Sequence, residues 1–276
     1  MTSLFKSTTQ AQYYAKFRPV YPSTLYAKIA SSIRGTNKSM AIDVGCGTGQ
    51  ATVALTEHFD KVLGVDPSDE QLQHATPHPN VSYQAGQATQ LPAQNGSVAV
   101  VTAAQAAHWF DIPKFYSEVD RVLQPGGCLA LWTYGNFQLP NDNTLRHLVV
   151  EELYENTLGE KYWDRRRLLV ENRYVDIPLL ADERPDSYSG ERITAGYDIE
   201  QEMTKEELLG YLRSWSGYTL YCQQNDIQEG SPQDPLTPIQ EYLDSQRRYD
   251  ANGIPVVFPV TILLSVKNGE TTQQEE

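Results

Sequence analysis

The chain has 276 residues, 40% of them hydrophobic and 21% charged, and a formal net charge of −13. This composition suits a soluble globular protein that buries one full core. The acidity, without a basic cluster, argues against DNA or RNA as a partner, because phosphate backbones are repelled.

Three cysteines, Cys46, Cys128 and Cys222, stand far apart and in no C-x-x-C arrangement. They predict a reducing compartment, with neither a disulfide framework nor a zinc site. The first residues lack an apolar core of signal-peptide length, and the most apolar run, 254–266, is short and interrupted by proline. A cytoplasmic protein with no membrane partner is expected. The oligomeric state is not readable.

Residues 13–22 crowd Tyr13, Tyr14, Phe17, Arg18, Pro19, Tyr21 and Pro22 into ten positions. Pro22 and Ser23 can open an amphipathic helix through Ser32. The segment reads equally well as a lid over a site and as a hydrophobic strap on a sheet edge. Residues 40–44 then form an apolar, strand-like lead into Gly45-Cys46-Gly47-Thr48-Gly49, followed by a helix-compatible stretch at 50–58. A strand, a tight glycine turn and a helix N-terminus together offer backbone N–H groups to a nucleotide-like ligand. The spacing is not the G-x-G-x-x-G of dinucleotide folds, since Gly49 falls two positions after Gly47. No Lys-Ser/Thr follows, so a P-loop is also a poor match.

A second strand, 61–65, ends in Asp66-Pro67-Ser68. Asp66 lies where a carboxylate on the neighbouring strand can take both hydroxyls of a ribose. A short helix (70–75) and a third strand (81–84) follow, then a loop with Gln87 and Ala88. Residues 97–102 read as a fourth strand, apolar on both faces as in the middle of a parallel sheet. Its tip runs through Gln105 to His108-Trp109-Phe110-Asp111, with Asp111 placed to cap a helix at 112–123. Gln124-Pro125-Gly126-Gly127 turns into a fifth strand, 128–132. A helix at 143–158 precedes Tyr162-Trp163-Asp164-Arg165-Arg166-Arg167. These arginines can bind an anionic substrate or be solvated charges paired with Glu160 or Glu171. A sixth strand is expected within 193–203, a helix opened by Thr204 and Glu207 after it, a further helix within 232–251, and a last strand at 255–267.

Asp43-x-Gly45-x-Gly47-x-Gly49 resembles the first motif of the class I S-adenosylmethionine-dependent methyltransferases, and Leu123-x-Pro125-Gly126-Gly127 matches a hallmark turn of that family. Tyr14-x-x-Phe17-Arg18-Pro19-x-Tyr21-Pro22, His108-Trp109-Phe110-Asp111 and Trp215-Ser216-Gly217-Tyr218 resemble signatures of one subfamily. That subfamily includes fungal trans-aconitate methyltransferases and the yeast cantharidin-resistance methyltransferase. The resemblance implies an α/β, Rossmann-like, seven-stranded sheet, mostly parallel with an antiparallel edge hairpin and helices on both faces.

It also implies a single domain: an aromatic lid or strap (1–39), a cofactor core (40–133), a substrate-recognition insertion (134–192), sheet completion (193–267) and a disordered tail (268–276). The implied cofactor is S-adenosylmethionine, leaving S-adenosylhomocysteine, with no metal. Its expected contacts are Asp43, Gly45, Cys46, Gly47, Thr48, Gly49, Asp66, Pro67, Gln87, Ala88 and Gln105. The implied acceptor is a small molecule, foremost an organic carboxylate. Arg18, Tyr21, Trp109, Trp163 and Arg166 are candidates to bind it, and His108 and Tyr14 are candidate bases. His108 and Trp109 can equally form a pocket wall. A nicotinamide-dependent oxidoreductase and a non-catalytic ligand-binding regulator remain as alternatives at this point.

Overall fold

The computed structural model describes Tyr13, residues 16–34 and residues 37–269. Tyr14 and the terminal residues 270–276, expected as a candidate base and as most of a disordered tail, lie outside them. Among the described residues nine strands occur in chain order: β1 (Met40–Val44), β2 (Lys61–Asp66), β3 (Val81–Ala85), β4 (Val98–Ala104), β5 (Leu123–Tyr134), β6 (Tyr188–Ile193), β7 (Ile199–Met203), β8 (Ile254–Phe258) and β9 (Val260–Lys267). Seven of them form one sheet in the order β3-β2-β1-β4-β5-β9-β6, and β7 pairs with β8 separately. Strands β1 to β5 pair in parallel, whereas β9 runs antiparallel to both β5 and β6. This is the Rossmann-like sheet with an antiparallel edge that the motifs implied. Strand order reverses at β1, which has β2 on one side and β4 on the other, so a crevice opens at the carboxyl ends of β1 and β4.

Two expected strands each divide in two. The stretch 193–203 breaks after Ile193, where Gly196 takes φ of +87°, so β6 and β7 join different sheets. The run 255–267 breaks at Pro259, whose ring removes the ladder N–H. The edge pair β6 and β9 is therefore assembled from distant segments rather than from a hairpin.

The chain forms two compact units. A sheet unit comprises Tyr21–Gly135, Leu168–Tyr197 and Pro259–Glu276, and a helical unit comprises Met1–Val20, Asn136–Arg167 and Asp198–Phe258. The stretch 134–192, read from sequence as one insertion, is thus shared between them.

In the sheet unit the helix Ile112–Val122 starts at Asp111, whose side chain accepts the Lys114 N–H. It buries Phe115, Val119 and Val122, spaced i, i+4 and i+7, in one apolar cluster with Ile42, Val101, Leu129 and Leu131. Each such fully buried side chain is worth roughly 1.5–3 kcal/mol. The helix Ser23–Ser32 buries Leu25, Tyr26, Ile29 and Ala30, and Tyr26 meets Trp132 of β5 edge to face.

Asp43, 1% exposed near the end of β1, joins three elements of this unit. Its Oδ2 accepts the hydroxyl of Thr52 at 2.7 Å, from the helix after the glycine turn. Its Oδ1 accepts the hydroxyl of Thr102 on β4 at 2.8 Å. Burial pushes its carboxyl up to about 6, and Asp66 adds to the effect, while the two threonine hydroxyls pull the other way.

In the helical unit, the helix Lys205–Arg213 opens with a reciprocal cap between Thr204 and Glu207. The expected helix at 143–158 is α-helical only over Asn143–Arg146. From His147 to Leu158 it is π-helical, and the wider winding ends with Gly159 N–H donating to the Tyr154 carbonyl five residues back. The helix within 232–251 resolves into Thr237–Ser245 and Arg248–Asn252. They are tied to the start of the helix Asn143–Arg146 by Asp142, which accepts the Leu145 N–H at 2.9 Å, the Tyr242 hydroxyl at 2.8 Å, the Tyr249 hydroxyl at 2.5 Å and an Arg248 N–H at 2.6 Å. Burial alone would raise the Asp142 carboxyl, but these donors hold it below its ordinary value.

Two outcomes are expected. Asp142→Ala orphans the buried Leu145 N–H and Tyr249 hydroxyl, besides the more exposed donors of Tyr242 and Arg248, and lowers stability by about 2–4 kcal/mol in urea unfolding. For Asp43 the folded pKa lies above the unfolded value of about 3.9, so the folded state holds the extra proton. Its contribution to stability is therefore lost as pH rises from about 4 to about 6. Asp43→Asn should remove that fall, by an amount on the order of 1–3 kcal/mol, seen as a flatter urea midpoint across this window.

Candidate active site

The glycine turn lies at the carboxyl end of β1. Gly45, Gly47 and Gly49 have φ of +70°, +54° and +83°, in the left-handed region that favours glycine. The turn is also tightly enclosed. A Cβ at Gly45 would lie 2.6 Å from the Ala106 Cβ, and one at Gly49 would lie 2.0 Å from the Tyr83 hydroxyl. At Gly47, by contrast, the closest neighbour of such an atom is Gln71 Oε1 at 3.9 Å, so this face stays open for a ligand.

Asp66, at the end of β2, faces the same turn. Its Oδ2 accepts the Gly47 N–H at 2.9 Å and its Oδ1 accepts the Ser68 N–H at 2.9 Å. Each carboxylate oxygen has a further lone pair, so holding the turn does not use up its capacity for ligand hydroxyls. Burial pushes the Asp66 carboxyl up, against these two backbone donors. Burial, then Asp43 and Asp66, also push the Cys46 thiol up, which makes it a poor nucleophile. Thr48 contributes its carbonyl, which accepts the Thr76 N–H at 3.0 Å. The Thr76 carbonyl in turn accepts the Tyr83 hydroxyl at 2.8 Å. Tyr83, read from sequence only as a strand residue, therefore braces the turn.

The other expected cofactor contacts divide. The loop after β3 follows the tip of β2, with Gly86 N–H donating to the Asp66 carbonyl at 3.1 Å. There Gln87 is exposed and Ala88 half-buried, and Pro67 is exposed beside Asp66. Gln105 is different. It has φ of +52°, and its Oε1 accepts the Thr133 hydroxyl at 2.5 Å and the Tyr134 N–H at 3.1 Å. Its Nε2 donates to the Tyr134 carbonyl at 3.2 Å. Gln105 thus clamps the end of β4 to β5 instead of presenting its amide to a ligand.

The loop continues into His108, 9% exposed, with its Nδ1 3.0 Å from the Tyr174 hydroxyl and its ring against Trp109 at 4.9 Å. Because Ala106 and Phe110 pack on Gly45, His108 is carried beside the glycine turn. Tyr174 lies 66 positions further along the chain, and no sequence signal pairs the two.

The candidate substrate residues are spread over both units. In the sheet unit Tyr21 is buried and packs against Trp132 and Tyr134, a core contact. In the helical unit the Arg18 guanidinium lies 5.1 Å from the Tyr211 ring centroid. Trp163 packs against Tyr154 and Trp215. Arg166 pairs with Asp164 two residues away at 3.1 Å, an exposed local contact. Its neighbour Arg167 lies 5.0 Å from the rings of both Tyr154 and Trp163, so of the arginine triplet it is Arg167 that joins the aromatic cluster.

The open face at Gly47 and the buried Asp66 carboxylate fit a nucleoside-bearing cofactor. Among the described residues no group of three or more His, Cys, Asp or Glu side chains is placed to hold a metal ion. Nor is any helix among them long and apolar enough to cross a membrane.

Comparison with known proteins gives a consistent answer. A family model described as a methyltransferase domain matches residues 42–131. A Dictyostelium discoideum protein named as a candidate methyltransferase is 37% identical over 92% of both chains. A Saccharomyces cerevisiae protein named as a probable S-adenosylmethionine-dependent methyltransferase is 25% identical, over 81% of this chain and 84% of its own. A solved structure from Anaeromyxobacter dehalogenans, described as a candidate type II methyltransferase, superposes with a TM-score of 0.73 at 32% identity. It covers 90% of this chain and 97% of its own. The chain belongs to the class I S-adenosylmethionine-dependent methyltransferases, with S-adenosylmethionine as methyl donor and S-adenosylhomocysteine as product.

Proposed function

We propose that the small-molecule acceptor of this methyltransferase is an organic carboxylate, and that the reaction is carboxyl O-methylation by direct in-line transfer. The observation that carries this reading is the aromatic cluster of the helical unit, with Arg18 against Tyr211 and Arg167 against Tyr154 and Trp163. Guanidinium groups stacked on rings are orientated for two-pronged recognition of a carboxylate. We read these cations as the groups that receive an anion in a chain of net charge −13, and the same acidity disfavours nucleic acid. The motifs around Arg18, His108 and Trp215 support membership of the trans-aconitate and cantharidin-resistance subfamily. The two units are built from interleaved chain segments, which supports reading them as parts of one methyltransferase domain.

When bound, S-adenosylmethionine supplies a methyl group already activated by its sulfonium. The task of the protein is alignment, which supplies on the order of 7–11 kcal/mol in well-oriented systems. The glycine turn and Asp66 hold the donor side, with Gln87 and Ala88 beside the adenine. In the helical unit Arg18 and Trp163 are assigned to the acceptor, with Arg167 in place of Arg166 as the second cation. A carboxylate is ionised near neutral pH and needs no base. His108 and Tyr14 therefore serve as bases only if the acceptor is a hydroxyl or an amine.

Calorimetric titration with S-adenosylhomocysteine, and NAD as control, should show binding of the first alone. Asp66→Ala should weaken it at least tenfold, about 1.4 kcal/mol, with the circular dichroism unchanged; equal affinity would make Asp66 a scaffold for the turn. In a panel of di- and tricarboxylates, Arg18→Ala should raise the acceptor KM several-fold and leave S-adenosylhomocysteine affinity intact. Turnover of hydroxyl or amine acceptors and of no carboxylate would refute the acceptor assignment.

A further inference from the structure

We infer that Tyr174 is a positioning residue for His108: its phenol O–H donates to Nδ1 and thereby keeps the imidazole proton on Nε2. Tyr174 is completely buried, in an apolar cluster with Ile177, Leu180 and Tyr188. A hydroxyl in such surroundings needs a partner, and the His108 Nδ1 lies 3.0 Å away. An imidazole nitrogen is a stronger acceptor than a phenol oxygen, so the shared proton stays on the tyrosine. The other ring nitrogen then carries the imidazole proton, because a neutral histidine holds only one.

The backbone around Tyr174 supports a dedicated role. Arg173 and Tyr174 have φ of +54° and +57°, two successive non-glycine residues in a left-handed conformation. Strain of this kind persists only where the surroundings over-determine it, and it concentrates at functional sites. Here the Tyr174 N–H donates to the Leu169 carbonyl at 2.7 Å. Arg192 donates to the carbonyls of Tyr174 and Ile177 at 2.6 and 2.7 Å. Arg173 donates to Thr261 Oγ1 at 3.0 Å and to the Thr194 carbonyl at 2.7 Å. Two arginines thus hold a strained pair of residues that sets one hydroxyl against one imidazole.

The histidine loop is fixed as well, by the Gln105 clamp and by Ala106 against Gly45. A protonated Nε2 is a hydrogen-bond donor and cannot abstract a proton. It suits an anionic acceptor that has to be orientated, and in this use alone the inference rests on the carboxylate reading.

The test is nitrogen-15 NMR of the histidine rings in the full chain at pH 8, where free imidazoles are neutral. The chain has five histidines, and His108→Gln identifies the His108 signals by their loss. The wild type should show His108 as a single tautomer protonated on Nε2. Tyr174→Phe, which keeps the ring, should convert it to a mixture, with S-adenosylhomocysteine affinity within about twofold. A wild-type tautomer protonated on Nδ1 would overturn the inference, as would unchanged His108 signals in Tyr174→Phe. So would a tenfold loss of S-adenosylhomocysteine affinity, which would place the effect of Tyr174 on the cofactor turn. If Tyr174→Phe does not fold, the wild-type tautomer alone decides. Failure to find a carboxylate substrate would refute the acceptor reading and leave the tautomer result standing.

Discussion

A carboxylate buried near the tip of the central strand holds the cofactor end of the sheet together. Two threonine hydroxyls, one from the helix after the glycine turn and one from β4, take the two oxygens of Asp43. Burial makes the ionised form costly, which the threonines only partly offset. The arrangement makes sense as geometry more than as stability. A single short side chain sets the distances between β1, the following helix and β4, the three elements on which the site is built.

Everything around the turn follows from that spacing. With β1 and β4 fixed, Ala106 fits into the space left by the missing Cβ of Gly45, and on the other side Tyr83 from β3 fits against Gly49. Asp66 from β2 accepts an N–H of the turn itself. Residues from four strands and their loops thus brace one another around the left-handed backbone of the turn. Such bracing restricts the conformational freedom of a glycine-rich segment.

The site was legible in the sequence where it is local. The glycine turn, the carboxylate at the end of the next strand, the Asp111 cap and the Thr204–Glu207 box each depend on residues a few positions apart, and their backbone geometry follows from residue type. The sheet was legible for the same reason, because its parallel core repeats strand, turn and helix. What escaped is non-local or turns on one side chain. Gln105 stands at the predicted place, yet its amide is taken by Tyr134 across the strand pair. Arg166 and Arg167 are indistinguishable as letters; the turn in which Asp164 accepts the Arg166 N–H and guanidinium, just before a helix starts at Arg167, puts one beside Asp164 and the other against Trp163. The partnership of His108 and Tyr174 spans two distant segments. The break at Pro259 was visible as a residue, but an unbroken apolar pattern on both sides concealed that β8 and β9 belong to different sheets.

The position of β9 has a consequence for the biosynthesis of the chain. This strand, the last of the nine, inserts between β5 and β6 and pairs with both along most of its length. Until it emerges from the ribosome, β5 presents an open ladder of N–H and C=O groups, and β6 has no neighbour in the sheet. A nascent chain therefore carries an apolar, unpaired edge through the synthesis of more than a hundred residues, the period when edge-to-edge aggregation is most dangerous. Closure also depends on contacts of very long sequence separation, which slows the final step. The folding chain should be most dependent on chaperones just before β9 is made, and loss of β9 should be far more damaging than an equal loss at an exposed loop.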